Sequence, residues 1–104
     1  MRFMMSFKIP IERGNVLLRD PQKFGETMRD IVADINAENA FFGPVDGQRG
    51  GYIIVDLEDA SRIAAVAEPF LLWLEADLEW VPLMTAEDLA KAGPSIDATA
   101  KKYT

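Results

Sequence analysis

The sequence predicts an α+β domain in which a four-stranded antiparallel sheet carries two helices on one face. Three observations lead there. Strand-like apolar runs occupy residues 3–9, 40–45, 52–57 and 76–82, two of them strictly alternating. Apolar stripes at helical spacing run through residues 24–35 and 63–70. The two kinds of segment follow one another as β-α-β-β-α-β.

Each element has its own signal. Phe3, Met5, Phe7 and Ile9 alternate with Met4, Ser6 and Lys8, the period of a strand. Pro10 to Arg19, with Gly14 and Asn15, reads as a loop. Asp20-Pro21 starts a helix, an N-cap acid followed by proline at the first helical position. Phe24, Met28, Ile31 and Ile35 give that helix one apolar stripe ending near Glu38, and Gly25 inside it is expected to mark close packing. Ala40 to Val45 is a strand that Gly43-Pro44 assigns to an edge or a bulge. Asp46 to Gly51 is a turn by composition, and Tyr52 to Leu57 is a strand centred on β-branched Ile53, Ile54 and Val55. A second helix carries Ile63, Val66, Ala67 and Phe70, with Pro69 expected to bend or end it within an apolar cluster from Leu71 to Leu74. The last strand alternates Ala76, Leu78, Trp80 and Pro82 against Asp77, Glu79 and Val81. Thr85-x-x-Asp88 then opens a short C-terminal helix over about residues 86–92, which Gly93-Pro94 stops. The domain therefore spans residues 1–92, and residues 93–104 form a polar, loosely held tail.

The order is that of the ferredoxin-like split β-α-β fold. In this arrangement the first and third strands are central, and both are apolar on both sides. With Phe3, Met5, Phe7, Ile53, Val55 and Leu57 toward the helices, Met4, Tyr52 and Ile54 point away. A lone chain would offer that second face to water, so a homodimer joined through the open sheet face is expected, its two sheets closing into an α/β barrel.

Composition removes whole classes of function. The 104 residues carry 11 Lys and Arg against 17 Asp and Glu, a net charge of -6. Nucleic acid, which needs a basic face, is not an expected partner. Residues 1–55 balance seven cations with seven anions, whereas residues 56–88 hold nine acids and only Arg62. This segment forms an acidic surface that is solvated rather than cation-binding. Without cysteine there are no disulfides, thiolate metal sites or Cys nucleophiles. Without histidine there is no Ser-His catalysis, imidazole haem ligation or common zinc site. No metal or cofactor is expected. No targeting or membrane-spanning run is visible, so a cytoplasmic address is the default.

The segments GGYIIVDLEDASRIAAV and LLWLEADLEWVPLMTAEDL resemble the small dimeric α/β-barrel proteins of ferredoxin-like fold, nearest the muconolactone isomerase-like branch and related families of unknown function. The resemblance covers residues 1 to about 92. It implies the fold and the dimer, and a range of activities that includes isomerases, cofactor-free monooxygenases and haem-handling enzymes. Many members use a histidine, which this chain lacks, and no catalytic residue carries over by position.

Several residues are candidates for chemistry. Arg13, Asn15 and Arg19 in the first loop and Arg49 in the glycine-rich turn either present a basic lip to a small carboxylate or enolate, or balance Glu12, Asp20 and Asp46 at the surface. Gly47, Gly50 and Gly51 either admit a ligand to the backbone or build a plain hairpin, which their order favours. Tyr52, Trp73 and Trp80 either wall an aromatic pocket or fill core and interface. Glu68, beside an apolar cluster, and Tyr52 are the candidate proton-moving groups. Asp77 and Glu79 share one side of an edge strand, where paired acids more often prevent aggregation than perform catalysis.

Two readings survive. The first is a small homodimer that binds an anionic or aromatic small molecule without catalysis. The second is a small cofactor-free enzyme of isomerase or monooxygenase type acting on an anionic or enolisable small molecule. The lack of any side chain poised near neutral pH favours the first.

Overall fold

The computed structural model describes residues 1–104, and its elements are β1 (Arg2–Lys8), α1 (Ile11–Leu17), α2 (Pro21–Asp34), β2 (Asn39–Val45), β3 (Gln48–Asp56), α3 (Arg62–Leu74), β4 (Asp77–Leu83) and α4 (Ala86–Tyr103). The four strands form one antiparallel sheet in the order β2-β3-β1-β4, which fits the ferredoxin-like arrangement with two added helices. β1 pairs with β3 through Met5 opposite Ile53, and with β4 through Met5 opposite Trp80.

Alternation along these strands decides what is buried. Met5, Phe7, Ile53 and Val55 point toward the helices and are essentially inaccessible. Val66, Phe70 and Leu74 of α3 and Met28 of α2 meet them from the other side. The Phe7 and Phe70 rings lie 4.9 Å apart at the centre of this core. As expected from the sequence, Met4, Tyr52 and Ile54 lie on the opposite, outer face. The strand register sets Ile54, Met4 and Val81 side by side in one row, and Phe41, Tyr52 and Ser6 in the next. No helix buries this face: Phe41 and Tyr52 are exposed, and Met4, Ile54 and Val81 only half-buried.

Five local expectations require correction. Pro10 to Arg19 is not a loop, because α1 occupies Ile11–Leu17. Gly14 and Asn15 mask its helical signal, yet the missing Cβ of Gly14 is what lets the Arg49 side chain pass, since a Cβ there would stand 2.8 Å from its Nη1.

The turn between β2 and β3 is only Asp46-Gly47, not Asp46 to Gly51. Both turn residues have positive φ, 49° and 78°, as a tight two-residue hairpin demands. Pairing therefore resumes at once with Val45 opposite Gln48, and Gly50 and Gly51 belong to β3. Glycine is required there, because a Cβ would stand 2.0 Å from the Phe7 carbonyl oxygen at Gly50 and 2.1 Å from that of Phe41 at Gly51. Gly25 shows the reverse: expected at a close approach, it has open space where its Cβ would be.

α3 continues five residues past Pro69 before Glu75, in a left-handed conformation, ends it. Of the cluster from Leu71 to Leu74 only Leu74 is fully buried, and Leu72 is 76% exposed.

The C-terminal helix is not short. α4 runs 18 residues through Gly93 and Pro94, so residues 93–103 are helical rather than a loose tail. Strong local signals outweigh the breakers. Thr85 and Asp88 form a reciprocal capping box, alanine is frequent, and Lys91–Glu87 and Lys101–Asp97 pair one turn apart. α4 buries none of its residues. It makes the molecule elongated, 58 × 27 × 20 Å with a radius of gyration of 17.3 Å, against about 13 Å for a compact chain of this length.

The caps predict an acid response. Hydrogen bonds from the Thr85 backbone and side chain hold the Asp88 carboxyl below the usual aspartate range, and Ser61 does the same for Asp59. A carboxyl with a lowered folded pKa contributes stability above its unfolded value of about 3.9, which is lost as pH falls through the folded value. Helical circular dichroism should therefore decline below about pH 4, and Asp88→Ala should remove part of that decline while lowering helicity at neutral pH. Unchanged profiles for the variant would remove the cap from this account.

Candidate functional site

Two cavities open on the helical side, and both use Phe24. The smaller is the more polar one: it measures about 260 Å³ and lies between α1, the start of α2 and the end of α3. Val16, Leu17, Phe24 and Trp73 supply its apolar wall, and Arg19, Asp20, Lys23 and Thr27 its polar groups.

The sequence explains each placement. Asp20 caps α2 by accepting a hydrogen bond from the Lys23 backbone N–H at 3.1 Å, which orients the first turn. Arg19 precedes the cap and Lys23 follows it, so both cations project from the same end of the helix. Neither forms an ion pair within 4.0 Å. Trp73 reaches the cavity from the last turn of α3 and packs on Phe24, with ring centroids 5.2 Å apart.

Arg13, expected at a ligand lip, fixes this wall instead. Its Nε donates to the Trp73 carbonyl oxygen at 2.8 Å and lies 3.4 Å from the Glu75 carboxylate. On the other side of α1, the Arg49 Nη1 donates to Asn15 Oδ1 at 3.0 Å. The structure thus brings Arg49 and Asn15 together, and Arg13 beside Trp73, as two clamps on α1. Arg49 also borders a shallow hollow of about 390 Å³ over the β2–β3 hairpin, with Gly43, Pro44, Gly47, Gln48 and Gly50.

The remaining candidates stand apart. Trp80 packs edge-on against Phe3, 5.7 Å between centroids, over the sheet. Tyr52 lies on the outer face and Glu68 is exposed on α3. Asp77 and Glu79 share a hollow of about 210 Å³ on that outer face with Ser6, Lys8 and Asp46. No cluster of three or more acidic residues has the geometry of a metal site.

The larger cavity, of about 570 Å³, is a groove between α2 and β2. Phe24, Met28, Val32, Ala37, Ala40 and Phe42 line most of it, Gly25 leaves it open, and Arg29 and Asn36 are its polar members. Sequence reasoning missed both Lys23 and this groove. The one available signal was Gly25, a helix-weakening residue in an otherwise regular amphipathic stripe.

A family model for a domain of unknown function, DUF3303, matches residues 1–96. The chain belongs to the DUF3303 family. No curated protein matches it. Among solved structures it is similar to a de novo designed protein, Ferredog-Diesel, at 11% identity and a TM-score of 0.47, over 79% of this chain and 85% of that one. The DUF3303 match covers β1 through the middle of α4, so the sheet, both cavities and Trp73 all lie within the family's domain. No helix is long and apolar enough to cross a membrane.

Proposed function

We propose that this DUF3303 protein is a cytoplasmic homodimer that binds a small aromatic anion in the cavity beside Trp73. The observation supporting binding is the convergence of two unpaired cations, Arg19 and Lys23, on an apolar wall of Trp73 and Phe24. An aromatic carboxylate suits that combination: the ring covers apolar surface and the anion meets the two cations. The uncovered outer sheet face supports the dimer, because Phe41 and Tyr52 are exposed and Met4, Ile54 and Val81 only half-buried in a single chain, and a second copy would cover them.

The non-catalytic form of the reading is favoured over an isomerase or monooxygenase. Glu68 and Tyr52, the expected proton-moving groups, are not among the residues around this cavity. The nearest carboxylate, Asp20, is engaged as a helix cap.

Titration with 2-naphthoate, followed by NMR of the two indole N–H groups, tests the site. The Trp73 signal should shift saturably while that of Trp80 stays in place. Replacing Arg19 and Lys23 together by Gln should weaken binding about tenfold or more, a loss of about 1.4 kcal/mol. Equal shifts at both tryptophans, or affinity unchanged by the double substitution, would contradict the site.

A further inference from the structure

The two cavities on the helical side meet at one residue. Phe24 is the only side chain common to both, lining the cavity beside Trp73 from one flank of α2 and the α2–β2 groove from the other. The turn of the helix sets Lys23 and Thr27 on the Trp73 side and Gly25, Arg29 and Val32 on the groove side, with Phe24 on the inward stripe between them. The Phe24 ring is half-buried and rests on Trp73 at 5.2 Å between centroids. The partition between about 260 Å³ and about 570 Å³ is thus one side chain thick.

Gly25 stands on the groove side of that partition. A glycine inside a helix is unfavourable relative to alanine, and here no neighbour requires it. A Cβ at this position would meet nothing within 4 Å, whereas Gly14, Gly50 and Gly51 each make way for a side chain or a carbonyl. What the missing side chain does is leave the groove open next to Phe24.

The two spaces differ as the two ends of an amphiphile differ. Arg19 and Lys23, neither in an ion pair, stand at the smaller one. The larger is walled by Met28, Val32, Ala40 and Phe42, with Arg29 its one charged residue. Phe42 is 58% exposed there, apolar surface that a ligand chain would remove from water. An aromatic ring alone fills only the first space.

We propose that the ligand of the Trp73 cavity is an aryl carboxylate carrying an alkyl chain. The ring and anion lie beside Trp73, and the chain turns Phe24 aside and lies in the α2–β2 groove across Gly25. This rests on the anion site proposed above and narrows its ligand class. Phe24 and Gly25 are then the residues that determine which chain lengths are accepted.

Titration of the full chain with 4-methylbenzoate and with 4-octylbenzoate, kept below micelle-forming concentration, tests it by NMR of the indole N–H groups and methionine methyls. Both ligands should move the Trp73 signal, and only 4-octylbenzoate the Met28 methyl. The octyl compound should bind about tenfold more tightly or better, because only its chain buries groove surface. Gly25→Leu fills the groove beside Phe24 at a position with open space, and favours the helix. It should cut the gain to less than about threefold and leave 4-methylbenzoate affinity unchanged. Equal affinity of the two ligands at Trp73, or a gain that survives Gly25→Leu, overturns the groove as the place of the chain and leaves the anion site standing. A Met28 shift without a Trp73 shift overturns the joining of the two cavities. If neither ligand moves Trp73, the anion site and its extension both fall.

Discussion

Phe70→Ala is expected to lower stability by about 3–5 kcal/mol, the usual cost of emptying a large aromatic site in a core. Phe70 has no accessible surface, faces the Phe7 ring at 4.9 Å, and joins α3 to the centre of the sheet. Its neighbours Met5, Ile53 and Val66 belong to strands and a helix already fixed by pairing and packing, so they have little freedom to collapse into the space. A domain of this size has only about 5–15 kcal/mol in total, so the variant should sit near its unfolding threshold. Urea unfolding should show a lower midpoint at similar slope. Leu72→Ala is the control: it lies two residues from Phe70 on the same helix but is 76% exposed, and should change stability by less than about 0.5 kcal/mol. Equal losses in the two variants would mean that the core is placed wrongly.

Ile54→Arg should convert the proposed dimer to a monomer without unfolding it. Ile54 lies between Asn39 and Met4 in the register, in the row that continues to Val81, near the middle of the outer face. In a two-fold interface each substitution enters twice, so two unpaired guanidinium groups would be buried, at several kcal/mol each. In a lone chain the same side chain would reach into water and change little. Sedimentation velocity should report half the native mass, with circular dichroism preserved. Ile63→Arg, at an exposed position on α3, should leave the mass unchanged. A dimer that tolerates Ile54→Arg would place the interface elsewhere.

The parts of the fold legible in the sequence were those with regular periods. Alternation in Phe3 to Ile9 and the stripe Phe24, Met28, Ile31, Ile35 report burial directly, because burial is what selects them. Asp20-Pro21 and Thr85-x-x-Asp88 were equally legible, being local hydrogen-bonding devices that act within one turn. Breakers misled where context overrode them. Gly14, Pro69 and Gly93-Pro94 all lie inside helices, since caps, ion pairs and tertiary packing outweigh a single unfavourable residue. Gly50 and Gly51 look like turn residues but answer to two backbone carbonyls on neighbouring strands, a fact no local pattern contains.

The site was less legible for the same reason. Trp73 was legible only as either a pocket wall or a core residue, and the cations that share its cavity come from a helix start some fifty residues earlier, joined to it only by folding. Arg13 and Arg49 carry the right chemistry for an anion, yet each already has a partner, the Trp73 carbonyl and the Asn15 side chain. A side chain's type states what it can bind; its neighbours decide what it does.

The central claim is that the outer sheet face is closed by a second copy of the chain. Native mass spectrometry of the gently purified full chain at micromolar concentration tests it most directly. The account predicts a species at twice 11.6 kDa, with any retained aromatic anion appearing as a reproducible added mass. A bare 11.6 kDa monomer persisting at tens of micromolar would contradict it.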